Sequence, residues 1–265
     1  MAFRNIVFSA IIVGIFSGLF YGLFQQTMIS PIIYGAEEYE ISEDVGIVHS
    51  HNSAEATNAT DAVATATPVA ETTTVADESE EVWAPANGVE RILYTLGADI
   101  LVGIAFAMVM VSLMTLHNFG SSKPKITVLS GALWGVAAMA SLFIAPSLFG
   151  LHPEVPGTVA AELINRQAWW GFCVLATIAG IAALYYMPMK YKFLGIIAIL
   201  LPHIIGAPMP ETNGFANTDP AAVQALTLLS EEFFLMTTIG MGIFYLTLGS
   251  LSGFAVNRFV RLEEN

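Results

Sequence analysis

Six stretches of the chain, residues 6–29, 94–116, 126–150, 168–187, 193–207 and 233–256, contain between them no lysine or arginine and a single carboxylate, Asp99. Each is bounded by charge, proline or glycine. About 20 apolar residues in a helix, rising about 1.5 Å each, are enough to cross bilayer hydrocarbon. Lipid offers the backbone no hydrogen-bond partners, so helices that satisfy their own amides are the expected form. With 55% hydrophobic and 12% charged residues, the chain has the balance of a protein solvated by lipid. The expected fold is all-α: one membrane domain over residues 1–265, a polytopic transmembrane bundle of about six helices, the fifth run being short and proline-rich. The first run is longer than the roughly 7–15 residues of a signal-peptide core, so an uncleaved first helix is expected.

Loop charges orient these helices. Arg4, Lys123, Lys125, Lys190, Lys192, Arg258 and Arg261 fall on one side of six alternating spans, and only Arg91 and Arg166 on the other. The positive-inside rule makes the first side cytoplasmic, with both termini there, in the cell (inner or cytoplasmic) membrane. Most carboxylates fall outside, many of them in residues 35–85, a segment of Ala, Thr, Val, Glu and Asp with a repetitive middle. That segment buries too little apolar surface to offset its ordering entropy and is expected to be a disordered outer loop. The formal charge of −13 argues against nucleic acid and for cations as company. The single cysteine, Cys173, rules out a disulfide framework or a cysteine-based zinc site.

Glycines four apart, Gly14-Gly18-Gly22, Gly131-Gly135 and Gly249-Gly253, mark faces where helix backbones can approach closely. Ionisable groups within spans are costly, so Asp99 calls for a reason: an interfacial pairing with Arg91, or a cation site. His203 stands between Pro202 and Pro208, which would break the fifth helix and free carbonyls near Ala198 and Ile204. Imidazole is a good ligand for late first-row metals, and broken helices line transporter cavities. Gln25 and Gln26 end the first helix ahead of Glu37, Glu38 and Glu40, while His49 and His51 make a weak cation trap in the acidic segment. Arg166-Gln167-Ala168-Trp169-Trp170 opens the fourth helix, its tryptophans matching an interfacial belt, and Glu162 is one helical turn from Arg166. No P-loop, nucleophile elbow or zinc-protease motif is present, so an enzyme is not expected, nor a resident cofactor.

Gln25-Gln26 leading through Pro31 to Ala36-Glu37-Glu38-Tyr39-Glu40, then Gly131-Ala132-Leu133-Trp134-Gly135, Arg166-Gln167-Ala168-Trp169-Trp170, and Pro202-His203-Ile204-Ile205-Gly206-Ala207-Pro208 follow one another in an order that resembles CbtA, a family of probable cobalt transporter subunits. The resemblance runs almost end to end; the acidic insertion between Tyr39 and Val89 departs from it. It implies a permease subunit for uptake of a divalent transition metal, Co²⁺, linked to cobalamin synthesis, with a small single-span, histidine-rich partner subunit. His203, Asp99, Gln25, Gln26, Glu37 and Glu40 are then the residues expected along the metal's path. The alternative is a non-transporting membrane subunit that recruits or stabilises a partner transport component.

The topology is open to test. Cysteine tags at Ala64 and Asn213 should label from outside intact cells, while tags at Ser121 and Asn265 should not. Outside labelling of Ser121 would reverse the orientation.

Overall fold

The computed structural model describes residues 2–40, 85–119, 126–148, 150–212 and 214–260. The described chain is helical, with a single isolated β-bridge between Thr158 and Phe215. α1 (Ala2–Phe24) passes through a π-turn (Gln25–Ile29) into α2 (Ser30–Glu37). α3 (Val89–Phe119) follows, then α4 (Val128–Met139), which passes through a second π-turn (Ala140–Ile144) into the short α5 (Ala145–Leu148). α6 (Leu163–Tyr186), α7 (Lys192–Ile205) and α8 (Pro220–Phe259) complete the bundle. Residues 35–40 of the segment expected to be disordered are helix and turn; residues 41–84, with His49 and His51, lie outside the described residues.

Among the described residues, five helical stretches are long and apolar enough to cross a membrane: Phe3–Glu37, Val89–Asn118, Val128–Leu148, Leu163–Tyr186 and Pro220–Phe259. The sixth expected span, α7, has 14 residues, about 21 Å against a hydrocarbon core of about 30 Å. It nevertheless runs back along α6, and its end lies against Trp169 near the start of that helix. α8 is much longer than its apolar run: 40 residues, about 60 Å. Its first turns leave the apolar zone and pack Leu226 with Ala36 of α2 and Val155 in a small cluster. Apolarity marks only lipid-facing length, so it missed this extension. A start signal was nevertheless present, for Asp219 accepts the Ala222 N–H at 3.0 Å and Pro220 sits at the first helical position.

The helices are joined as three antiparallel pairs, each held by glycines. In α1 and α3, a side chain on Gly14 or Gly18 would strike the backbone of Ile104 or Asp99. In α4 and α8, a Cβ on Gly249 would stand 2.7 Å from the Gly135 nitrogen and 2.8 Å from its Cα, and one on Gly135 would meet the Tyr245 carbonyl. In α6 and α7, a Cβ on Gly180 would lie 2.6 Å from the Gly195 carbonyl. Without a hydrophobic force between helices in lipid, such backbone approach supplies the packing energy. The first two pairs meet in the main core, where Met114, Val111, Leu248 and Val256 are fully buried. Cys173 is buried, as its apolar setting suggested. Asn5 Nδ2 donates to the Phe259 carbonyl at 3.1 Å, so the first and last helices end on the same face.

Gly249→Ala is expected to lower the thermal midpoint of the purified protein by several degrees, the cost of forcing a methyl against backbone being about 1–3 kcal/mol. Gly97→Ala, where a Cβ meets nothing within 4 Å, should leave it unchanged. Equal midpoints would show that the α4–α8 contact does not hold the fold.

Candidate functional site

The two π-turns have the same local cause. Each is followed by one small residue and then a proline, Ser30-Pro31 in one case and Ala145-Pro146 in the other. Proline lacks the amide that would reach back four residues, and the preceding turn widens to five-residue bonding: Ser30 N–H reaches Gln25 O, and Ala145 N–H reaches Ala140 O. A hydroxyl inside each widened turn bonds backwards, Thr27 Oγ1 donating to Leu23 O at 3.0 Å and Ser141 Oγ to Ala137 O at 2.9 Å. Side chains are re-aimed by the extra residue.

The first π-turn turns Gln25 to Asp99 on α3. With its nitrogen facing the carboxylate, the Gln25 amide donates to Oδ1 at 3.2 Å and Oδ2 at 3.1 Å. Gly22 makes the room, because a Cβ there would lie 2.9 Å from Asp99 Oδ2. Asp99 borders a cleft of about 200 Å³ whose other described walls include Tyr21, Phe106, Phe244 and Tyr245, with Leu142 and Phe143 from the second π-turn. The rings interlock edge to face: Tyr21 and Phe106 each meet Phe244, at 5.6 and 6.0 Å between centroids, and Tyr245 meets Phe244 at 5.2 Å. Sequence reading found Asp99 and Gln25 but not these aromatics, which look like ordinary span residues until α1, α3 and α8 are brought together. The prolines two residues beyond each π-turn were the signal that could have located the cleft walls.

Arg91, the partner in one of the two expectations for Asp99, goes elsewhere. Its guanidinium makes a two-pronged ion pair with Glu37, one prong at 3.0 Å, and stacks on Tyr34 at 4.6 Å from the ring centre. It projects from the first turn of α3 across to the end of α2, not down α3 towards Asp99. Glu37 is thereby a clamp between α2 and α3. Gln26 is half-buried beside Gln25, and Glu40 is exposed beyond the end of α2.

The Arg166–Trp170 motif of α6 is also rearranged. Arg166 Nη2 bonds Glu154 Oε2 at 2.7 Å, while Glu162 accepts from Asn165 at 2.8 Å, so the expected Glu162–Arg166 side-chain pair is replaced. α6 begins only at Leu163, leaving Glu162 at its cap instead of within the first turn. Gln167 and Trp170 are exposed. Trp169 is buried instead: its indole donates to the Pro202 carbonyl at 3.2 Å and its ring meets His203 edge-on at 6.2 Å. α7 runs unbroken through Pro202 and stops at Ile205, where Gly206 takes a φ of 89° that side chains disfavour. Pro202 is therefore no helix break, and Pro208 lies in the connection beyond.

The expected path residues thus occupy separate stations. Asp99 and Gln25 meet at the cleft, Glu37 is engaged by Arg91, and His203 belongs to the α6–α7 pair. Among the described residues no three His, Cys, Asp or Glu side chains converge as a metal site would require.

Comparison with protein families adds the decisive observation: the model described as "Probable cobalt transporter subunit (CbtA)" matches residues 3–257. The chain belongs to the CbtA family. No curated protein and no solved structure matches it. The CbtA match takes in all but the first residue of α1 and the last two of α8, so the glycine-joined pairs, both π-turns and the Asp99 cleft all lie within it. Family membership and the five long apolar helices make this a multi-pass membrane protein of a transporter-subunit family.

The Glu37–Arg91 clamp can be measured. Glu37→Gln and Arg91→Gln should each lower the thermal midpoint, and the double variant should lose less than their sum, a coupling of about 1 kcal/mol. Additive losses would mean that the two side chains do not act together.

Proposed function

We propose that this chain is the membrane subunit through which a divalent transition metal, Co²⁺, enters the cell for cobalamin synthesis. Both termini are cytoplasmic, and a small single-span, histidine-rich subunit works beside it. The observation that carries the reading, beyond family membership, is the Asp99 carboxylate held by an amide at the wall of an aromatic cleft inside the bundle. A carboxylate in a span is retained against an insertion cost of about 2.5–3.5 kcal/mol, and cation passage is a use that repays it. Gln25 orients the carboxylate without neutralising it, so its negative charge is left to attract a cation. The potential across the membrane favours inward movement of a divalent ion by about 4.6 kcal/mol per 100 mV, twice the single-charge value. The acidic outer face raises the local cation concentration, most strongly at low salt.

His203 is the second station in this reading, an imidazole whose ring packs on Trp169 near the outer end of the bundle. The alternative role, a membrane subunit that recruits or stabilises a partner without transporting, draws on the separation of the two stations and the lack of a convergent ligand cluster among the described residues.

Uptake of Co²⁺ into vesicles containing only this chain separates the two. Transport by the wild type is expected, falling at least tenfold in Asp99→Asn with the protein present at normal levels. His203→Ala and His203→Gln should both fall too, because an amide is a much poorer ligand for a late first-row metal. Full uptake by Asp99→Asn would remove the cleft from the path, and no uptake by the wild type alone would favour the recruiting role.

A further inference from the structure

An open groove of about 430 Å³ runs between α1 and α8, shares no lining residue with the Asp99 cleft, and is almost wholly apolar in its lining. Phe8, Ile12 and Phe16 form one wall, and Leu251, Phe254 and Phe259 the other. Its length is informative. From Asn5 to Phe16 it covers eleven helical steps, about 17 Å, roughly half of a hydrocarbon core of about 30 Å. A transmembrane helix docking here would need a face running across both leaflets, whereas an acyl chain needs one leaflet only. The groove begins at the termini face, where Asn5 Nδ2 bonds the Phe259 carbonyl and draws the two helix ends together. Arg4 and Arg258, adjacent in sequence to these two residues, are both exposed there. Two exposed arginines, each next in sequence to a residue that lines this end of a one-leaflet apolar groove, match a phosphate attached to an acyl chain, guanidinium being well suited to paired hydrogen bonds with phosphate oxygens.

We propose that the α1–α8 groove binds one anionic phospholipid from the leaflet on the side of the termini, its acyl chain along Phe8, Ile12 and Phe16 and its headgroup held by Arg4 and Arg258. This does not depend on what the chain transports. The bound lipid would cover a seam between the first and last helices, so it should stabilise the bundle as well as occupy it.

The test uses the full chain purified in detergent, with phosphatidylglycerol or phosphatidylcholine of identical acyl chains added. Native mass spectrometry should show one retained phosphatidylglycerol per chain and little phosphatidylcholine, and only the former should raise the thermal midpoint. In the double variant Arg4→Gln/Arg258→Gln retention should fall roughly tenfold or more. The matched pair Lys190→Gln/Lys192→Gln, cations near α7, should retain the lipid. Ile12→Trp, which fills the groove, should lose it while keeping the lipid-free midpoint. Equal retention of both lipids, as loosely held surrounding lipid would give, overturns the proposal. So does equal loss in the lysine pair, undiminished retention in Ile12→Trp, or a mass of two copies without lipid.

Discussion

Close approach of helix backbones at glycine is the contact on which the rest of this bundle depends. In lipid, exposing an apolar side chain costs little, so helices gain by dispersion and shape fit instead of by escaping water. Gly14, Gly18 and Gly103 bring α1 onto α3; Gly131, Gly135, Gly249 and Gly253 bring α4 onto α8; Gly180 and Gly195 bring α6 onto α7. At each of these points backbone is among the facing atoms, and it cannot turn aside as a side chain can. The register of each pair is therefore fixed, and with it the height at which Asp99 stands beside Gly22 and Gln25.

Register alone does not make a cleft. Two helices that would otherwise run straight each carry a π-turn ahead of a proline, and each turn sends side chains to the same side of the bundle: Gln25 to the carboxylate, Leu142 and Phe143 to the opposing wall. The arrangement combines a rigid seam and a re-aimed turn on one helix. Polar groups in the interior are small and few; hydroxyls such as Thr115 and Thr177 return their protons to carbonyls one turn back, which spares the apolar medium an open donor. Asp99 differs from these in being an ionisable group, with room left for it beside Gly22.

At the end of the bundle opposite the Asn5–Phe259 contact the logic changes from packing to charge. Glu37 with Arg91 and Glu154 with Arg166 tie α2 to α3 and the 150–160 connection to α6, where water reaches and ion pairs hold geometry more than they add stability. Backbone bonds from Val159 to Gly214 at 2.9 Å and from Ala216 to Gly157 at 2.9 Å join the connections at this end into one cap, and Asn217 adds a bond to the Tyr39 carbonyl at 3.0 Å. The cap and the early turns of α8 rise beyond the apolar zone, so this end of the protein has a folded layer of its own.

The amino-acid sequence by itself determined the class of solvent, the positions of the apolar helices, the glycine faces and the unusual standing of Asp99 and His203, because each follows from local composition and spacing. Helix length beyond the lipid was only half legible: Asp219-Pro220 announced the start of α8, but its first turns carry no apolar run. Which groups meet was decided by tertiary structure alone. Arg91 could reach along its own helix or across to another, and only the placement of α2 gave it Glu37 in place of Asp99. Trp169 has the composition of an interface anchor and became a buried donor because α7 folds back upon α6. Pairing of side chains depends on distances between segments far apart in the chain, and a linear pattern holds the candidates without holding those distances.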